Sequence, residues 1–124
     1  MTNDPKYILV AEDDKAYANV YKTRLAREGF EVEVADDGEK ALRAMRERKP
    51  DLVVLDLVMP VKDGFAVLKE MKSDPALKNV NVVVASNLSQ DLDLKKAKEL
   101  GAIDYFVKSD VSIGEMIALL KKHL

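Results

Sequence analysis

Four short apolar runs constrain this chain more than anything else in it. Ile8-Leu9-Val10-Ala11 leads into Glu12-Asp13-Asp14, and Leu52-Val53-Val54-Leu55 leads into Asp56. Val82-Val83-Val84-Ala85 leads into Ser86, and Tyr105-Phe106-Val107 leads into Lys108. Continuous apolar runs are the pattern of strands covered by helices on both faces. A fifth segment, Glu31-Val32-Glu33-Val34-Ala35, alternates instead, which suits a strand at a sheet edge with one face exposed. The strand candidates are therefore 7–11, 31–35, 52–56, 81–86 and 104–108.

Helical patterns fill the gaps. In 14–28, Tyr17, Val20, Tyr21 and Leu25 share a face, and Gly29 is a stop signal. In 38–48 the stripe is Ala41, Leu42 and Met45, with Pro50 beyond it. In 64–73 it is Phe65, Val67, Leu68 and Met71, with Pro75 beyond. In 90–100 it is Leu92, Leu94, Ala97 and Leu100, closed by Gly101. The last helix, 112–123, opens with Ser112 and Glu115 at capping-box spacing and carries Ile113, Met116, Ile117 and Leu120 on one side. Strand and helix alternate throughout, so right-handed crossovers predict a single α/β domain over 1–124. The expected architecture is a doubly wound, flavodoxin-like (βα)5 sheet, all parallel, in the order 2-1-3-4-5. No effector domain is expected within these residues.

Composition narrows the class. Of 124 residues, 48% are hydrophobic and 34% charged, the balance of a folded domain rather than a disordered chain. The formal net charge is -2, with no basic stripe, which argues against direct nucleic-acid binding. There is no cysteine, so a disulfide framework and a zinc–thiolate site are excluded, and a cytoplasmic setting is expected. The stretch Met1 to Lys6 is polar and contains Pro5, unlike a signal peptide, and no apolar stretch approaches a membrane span.

The carboxyl ends of parallel strands share one edge, and ligands bind in the crevice there. With strands one and three adjacent, Asp13 and Asp56 come side by side. Clustered carboxylates repel unless a cation lies among them, and hard oxygen ligands suit Mg²⁺. Mg²⁺-dependent phosphoryl chemistry on a carboxylate follows as the expectation. Asp56 is the candidate nucleophile, since a strand-end carboxylate can attack phosphorus and form an acyl phosphate. Taken alone, such an Asp is more often a helix N-cap or a solvated loop acid; its neighbours reverse that. Of Glu12, Asp13 and Asp14, two could hold the metal, while Asp14 suits the N-cap of the first helix. Ser86 could offer a hydroxyl to a phosphoryl oxygen, or be a turn serine. Lys108 could pair first with Asp56 and then with the phosphoryl group, or be an exposed lysine. Tyr105, three residues earlier, is expected on the opposite strand face, where plain packing would explain it. His123 is given no role, and the Lys95-Lys96-Lys98 cluster reads as a solvated helix face.

These elements together resemble the receiver domain of two-component response regulators, from the first strand to the last helix. The matching residues are Val10-Ala11-Glu12-Asp13-Asp14, Leu55-Asp56-Leu57-Val58-Met59-Pro60 with Asp63-Gly64, Val84-Ala85-Ser86, Gly101-Ala102 and Tyr105-Phe106-Val107-Lys108. The resemblance implies that Asp56 is the phosphoacceptor, that Glu12 and Asp13 are the acidic pair of the metal site, and that Asp13, Asp56 and the Val58 backbone carbonyl ligate Mg²⁺, for which Mn²⁺ could substitute. It further implies that Ser86 is the hydroxyl that moves to the phosphoryl group, Lys108 the conserved-type lysine and Tyr105 the aromatic switch. The implied donor is a histidine kinase or a phosphotransfer protein. The implied output surface is helix four, strand five and helix five, available to an unidentified output protein or to a second copy in a dimer.

Two residues depart from that pattern. Ser109 stands where the family usually has proline, often after a cis bond. A cis bond to a non-proline residue costs roughly 2.5–4 kcal/mol, so the isomer, and with it the aim of Lys108, is open. Asn87 stands where a small residue is usual, and could crowd the site or hydrogen-bond the phosphoryl group. Val58 and Leu88 occupy positions that flank the path of hydrolytic water in similar domains. Both are apolar, so a long-lived phospho-form is expected. Two rival readings remain. One is a phosphorylation-independent protein-binding module, favoured only by Ser109. The other is a Mg²⁺ phosphohydrolase of the haloacid-dehalogenase type, which would need an acid where this chain has Val58.

Overall fold

A computed structural model describes residues 4–124; Met1–Asn3, the start of the polar N-terminal stretch, lie outside the described residues. Ten elements alternate: β1 (Tyr7–Ala11), α1 (Lys15–Arg27), β2 (Glu31–Ala35), α2 (Gly38–Glu47), β3 (Leu52–Leu55), α3 (Gly64–Ser73), β4 (Val82–Ser86), α4 (Asp91–Glu99), β5 (Asp104–Val107) and α5 (Ile113–Lys122). The strands form one parallel sheet in the order β2-β1-β3-β4-β5. Fold class and strand order are as expected, and the expected boundaries differ from the observed ones by no more than one residue. Asp56 and Lys108, expected as the last residues of their strands, lie just beyond them.

The apolar runs are continuous because each strand feeds two cores. Side chains alternate between faces along a strand. Leu9 and Ala11, Val53 and Leu55, and Val82 and Val84 pack with Leu42 and Met45 of α2, Val67, Leu68 and Met71 of α3, and Ala97 of α4. Ile8 and Val10, Leu52 and Val54, and Val83 and Ala85 pack with Tyr21 and Leu25 of α1 and Met116, Ile117 and Leu120 of α5. β2 lies at the edge, and its Glu31, Glu33 and Val34 are exposed.

Local chemistry sets the helix ends. Asp14 caps α1, accepting from the backbone N–H of Ala16 at 2.9 Å and of Tyr17 at 3.2 Å. Asp63 caps α3 through the Ala66 N–H at 2.8 Å. Ser112 and Glu115 form the expected capping box on α5. Gln90 precedes α4 without a side-chain cap bond.

Two side chains expected on inner helix faces are not there. Val20 is 42% exposed, because the buried residues of α1 are Ala18, Tyr21 and Leu25 and Val20 falls outside that stripe. Leu92 is 75% exposed, because α4 touches the core through one fully buried residue, Ala97. His123, given no role from sequence, has its ring Nε2 2.9 Å from Asp104 Oδ2 and joins the end of α5 to the start of β5.

Candidate functional site

The sheet ladder continues one residue past three strand ends, which fixes the backbone from which the site's side chains depart. Glu12 N–H donates to Ala35 O at 2.9 Å, Asp56 N–H to Ala11 O at 3.0 Å, and Lys108 N–H to Ser86 O at 2.9 Å. Glu12, Asp56, Ser86 and Lys108 are the buried polar or charged residues of the described chain, and all four meet at this one edge. Together with Asp13 they line a cleft of 430 Å³ whose mouth includes Tyr17, Val58, Asn87 and Leu88.

Lys108 joins the acids. Its Nζ donates to Glu12 Oε1 at 2.6 Å and to Asp56 Oδ2 at 3.1 Å. The same ammonium lies 4.3 Å from the centre of the Tyr17 ring. Burial alone would lower the lysine's pKa, but the bonds to Glu12 and Asp56 outweigh it, and the net shift is upward. Burial pushes the Glu12 carboxyl up to about 7, against the opposing pull of Lys108 and of the Asp14 N–H, which donates to Glu12 Oε2 at 3.0 Å. Both Glu12 oxygens are thus occupied. Asp56 Oδ1 accepts from the Val58 N–H at 3.3 Å. The bonds from both sides orient the carboxylate into the cleft.

Carboxylate oxygens of Glu12, Asp13 and Asp56 lie within 4.8 Å of one another. The carboxylate of Asp13 is exposed and accepts no hydrogen bond or ion pair among the described residues. When ionised, three carboxylates face one ammonium, and the excess negative charge matches a divalent cation. The donor set is all hard oxygen, which fits Mg²⁺ or Mn²⁺. The residues present fit such an ion.

The loop after Asp56 is held in contact with it. A Cβ on Gly64 would come within 2.3 Å of Asp56 O, so only glycine lets α3 begin this close to the candidate nucleophile. A Cβ on Gly38 would likewise meet Lys62 O at 2.1 Å. Lys62 pairs with Glu39 at 2.8 Å and also with Glu70, tying the loop to α2 and α3. At its tip Val61 adopts φ 68°, a strained value for a β-branched residue.

Ser86 is fully buried, and its Oγ accepts from the Leu88 N–H at 3.3 Å. Tyr105 is half-buried on the α4 side of the sheet, with its hydroxyl donating to Leu88 O at 2.5 Å. It does not line the cleft; it holds the loop that follows Ser86. The Lys108–Ser109 bond is trans, since the described chain has no cis peptide bond. Asn87 and Ser109, flagged as separate departures, are hydrogen-bonded to each other at 3.0 Å. Sequence reasoning placed Tyr17 on a packing face and missed it as a site residue. Its position one helical turn beyond the acids was the available signal.

The profile of the response regulator receiver domain family matches residues 8–121. A probable transcriptional regulator, ycf27 of Pyropia yezoensis, is 37% identical over 108 residues, which are 87% of this chain and 43% of that protein. The chain spans less than half the length of such curated relatives. The chemotaxis protein CheY4 of Vibrio cholerae shares the fold at a TM-score of 0.89 and 23% identity, over 97% of this chain and 99% of that one. The BeF3-activated N-terminal receiver domain of Klebsiella pneumoniae RstA aligns at a TM-score of 0.87 and 27% identity, over 95% of this chain and 97% of that one. With the strand order, the acid cluster and the strand-end lysine in place, the match over nearly the whole chain has one meaning: this protein belongs to the response regulator receiver domain family.

Proposed function

We propose that the chain accepts a phosphoryl group on Asp56, in a Mg²⁺-dependent transfer from the phosphohistidine of a histidine kinase or phosphotransfer protein. The observation that carries this reading is the Lys108 ammonium 3.1 Å from Asp56 Oδ2, inside a three-acid cluster whose oxygens lie within 4.8 Å. Asp13, Asp56 and the Val58 carbonyl would hold the ion, with Glu12 beside it. A bound divalent ion there would neutralise charge on the incoming phosphoryl oxygens. An Asp56 carboxylate oxygen attacks phosphorus as the P–N bond to the donor imidazole breaks, and the bonding pair leaves with the imidazole. Lys108 then exchanges its bond to the carboxylate for one to a phosphoryl oxygen. The Ser86 hydroxyl, which accepts from Leu88 N–H, would turn its own proton to a phosphoryl oxygen.

The switch follows from these contacts. Movement of Ser86 toward Asp56 displaces Leu88, whose carbonyl holds the Tyr105 hydroxyl. Tyr105 and α4 then rearrange, and the α4–β5–α5 face is offered to an output protein or to a second copy. RstA, a relative with a BeF3-activated form, supports a phosphoryl-type trigger. A cytoplasmic setting suits the donor chemistry. The phosphorylation-independent module loses its argument, because Lys108 reaches Asp56 with Ser109 in a trans bond. Val58 stands where a phosphohydrolase of the haloacid-dehalogenase type carries its acid, which argues against turnover on small substrates.

The test is intact-protein mass after incubation with a small-molecule phosphodonor. One phosphoryl group is expected, absent without Mg²⁺ and absent in Asp56→Asn. A wild-type protein that keeps its fold and gains no mass contradicts the reading. Val58 and Leu88 at the cleft mouth offer no polar group to orient water, so the phospho-form hydrolyses slowly. Val58→Asn should shorten its lifetime, and an unchanged or longer lifetime would remove that role.

A further inference from the structure

Lys108 must be aimed, because its ammonium meets two carboxylates and an aromatic face from a backbone at the very end of a strand. The residue after it does little to aim it. Ser109 leaves φ free where a proline ring would fix it, and it brings an N–H that a proline would lack. In the structure that N–H is not free. It donates to Asn87 Oδ1 at 3.0 Å, while the preceding N–H, that of Lys108, donates to Ser86 O at 2.9 Å. Two consecutive amides around Lys108 are therefore held by two consecutive residues at the end of β4. The regular β4–β5 ladder ends at the pair Ser86 and Val107, and the Asn87 side chain adds one rung beyond it. On the far side, Asp110 N–H donates to Val107 O at 2.9 Å and closes the turn.

We propose that Asn87 is a positioning residue for Lys108, its carboxamide oxygen pinning the Ser109 amide and so fixing the direction from which the lysine enters the acid cluster. The proposal rests on the phosphoacceptor function above. The two residues are complementary: a small side chain at 87 would leave the Ser109 N–H without this acceptor, and a proline at 109 would leave Asn87 without this donor. The same bond ties the loop that follows Ser86 to the loop carrying Lys108, and Ser86 and Lys108 are the two groups that must both contact one phosphoryl group. Asn87 acts through Ser109 and Lys108 and makes no hydrogen bond to the acids among the described residues.

The experiment compares initial rates of phosphorylation by acetyl phosphate at saturating Mg²⁺. Asn87→Ala is measured in the wild-type, Ser109→Pro and Lys108→Ala backgrounds, beside amide exchange at Ser109. Asn87→Ala should slow the wild-type background by roughly two- to tenfold, the range of one hydrogen bond, and should strip protection from the Ser109 amide. It should change neither of the other backgrounds by as much as twofold, since one lacks the amide donor and the other lacks the group being aimed. An unchanged rate in the wild-type background, or a protected Ser109 amide in Asn87→Ala, overturns the proposal. An equal loss in all three backgrounds overturns it as well and makes Asn87 a direct contact of the phosphoryl group. If the wild type itself takes up no phosphoryl group, the phosphoacceptor function fails; if only the Asn87 comparison fails, that function stands.

Discussion

Lys108 is 7% exposed and keeps its charge because Glu12, Asp56 and the face of Tyr17 surround it. A buried cation without partners would be costly; with them its proton is held more tightly than in water. Tyr17 is the contact that chemistry can remove most cleanly. Tyr17→Leu retains an apolar side chain on α1 and removes the ring face, so the fold should persist. Uptake of phosphate from a small donor should slow by roughly two- to fivefold, as expected for a partly exposed cation–π contact. An unchanged rate would make Tyr17 a packing residue only. Asp56, Asp13, Ser86 and Lys108 were legible in the sequence because each stands beside an apolar strand. Tyr17 was not, since an aromatic at helical spacing reads as core. The link between Asn87 and Ser109 was also hidden, because 22 residues separate them and only the adjacency of β4 and β5 joins them.

At the level of elements, glycine contacts and helix anchoring decide what is rigid. Gly64 lets α3 start against the backbone of Asp56. Gly64→Ala should force that helix start away from the site, costing about 1–3 kcal/mol in urea unfolding, the usual scale of overpacking. It should also impair phosphorylation. Unaltered stability would show that the close approach is relieved at no cost. α4 is the opposite case. It has one fully buried residue against three in α1 and α5 and four in α2 and α3, and it lacks a side-chain N-cap bond. Its amides should exchange fastest among the helices, and slow exchange there would contradict the proposed switch, in which α4 moves. The sequence suggested an ordinary amphipathic helix at this place. Leu92 misled because an apolar residue at the right spacing cannot report that the helix barely touches the sheet.

Across the whole molecule, two cores on either face of one sheet hold the strand ends rigid, and the site occupies the edge where those ends converge. That arrangement was readable because parallel topology follows from strand–helix alternation, and the 2-1-3-4-5 order places the acids of β1 beside the acid of β3. What could not be read was the balance of forces inside the cluster: both Glu12 oxygens occupied, Asp13 left open, and Ser86 turned toward Leu88 rather than Asp56. Those depend on distances of a few tenths of an ångström between residues far apart in the chain. The central claim is that all this geometry serves one carboxylate. Borohydride reduction of the Mg²⁺-dependent phospho-form, followed by peptide mass analysis, reads out which carboxylate carries the phosphoryl group. Conversion to homoserine is expected at Asp56, with Asp13 and Asp14 untouched. Conversion at another acid, or none in a protein that has gained phosphoryl mass, would contradict it.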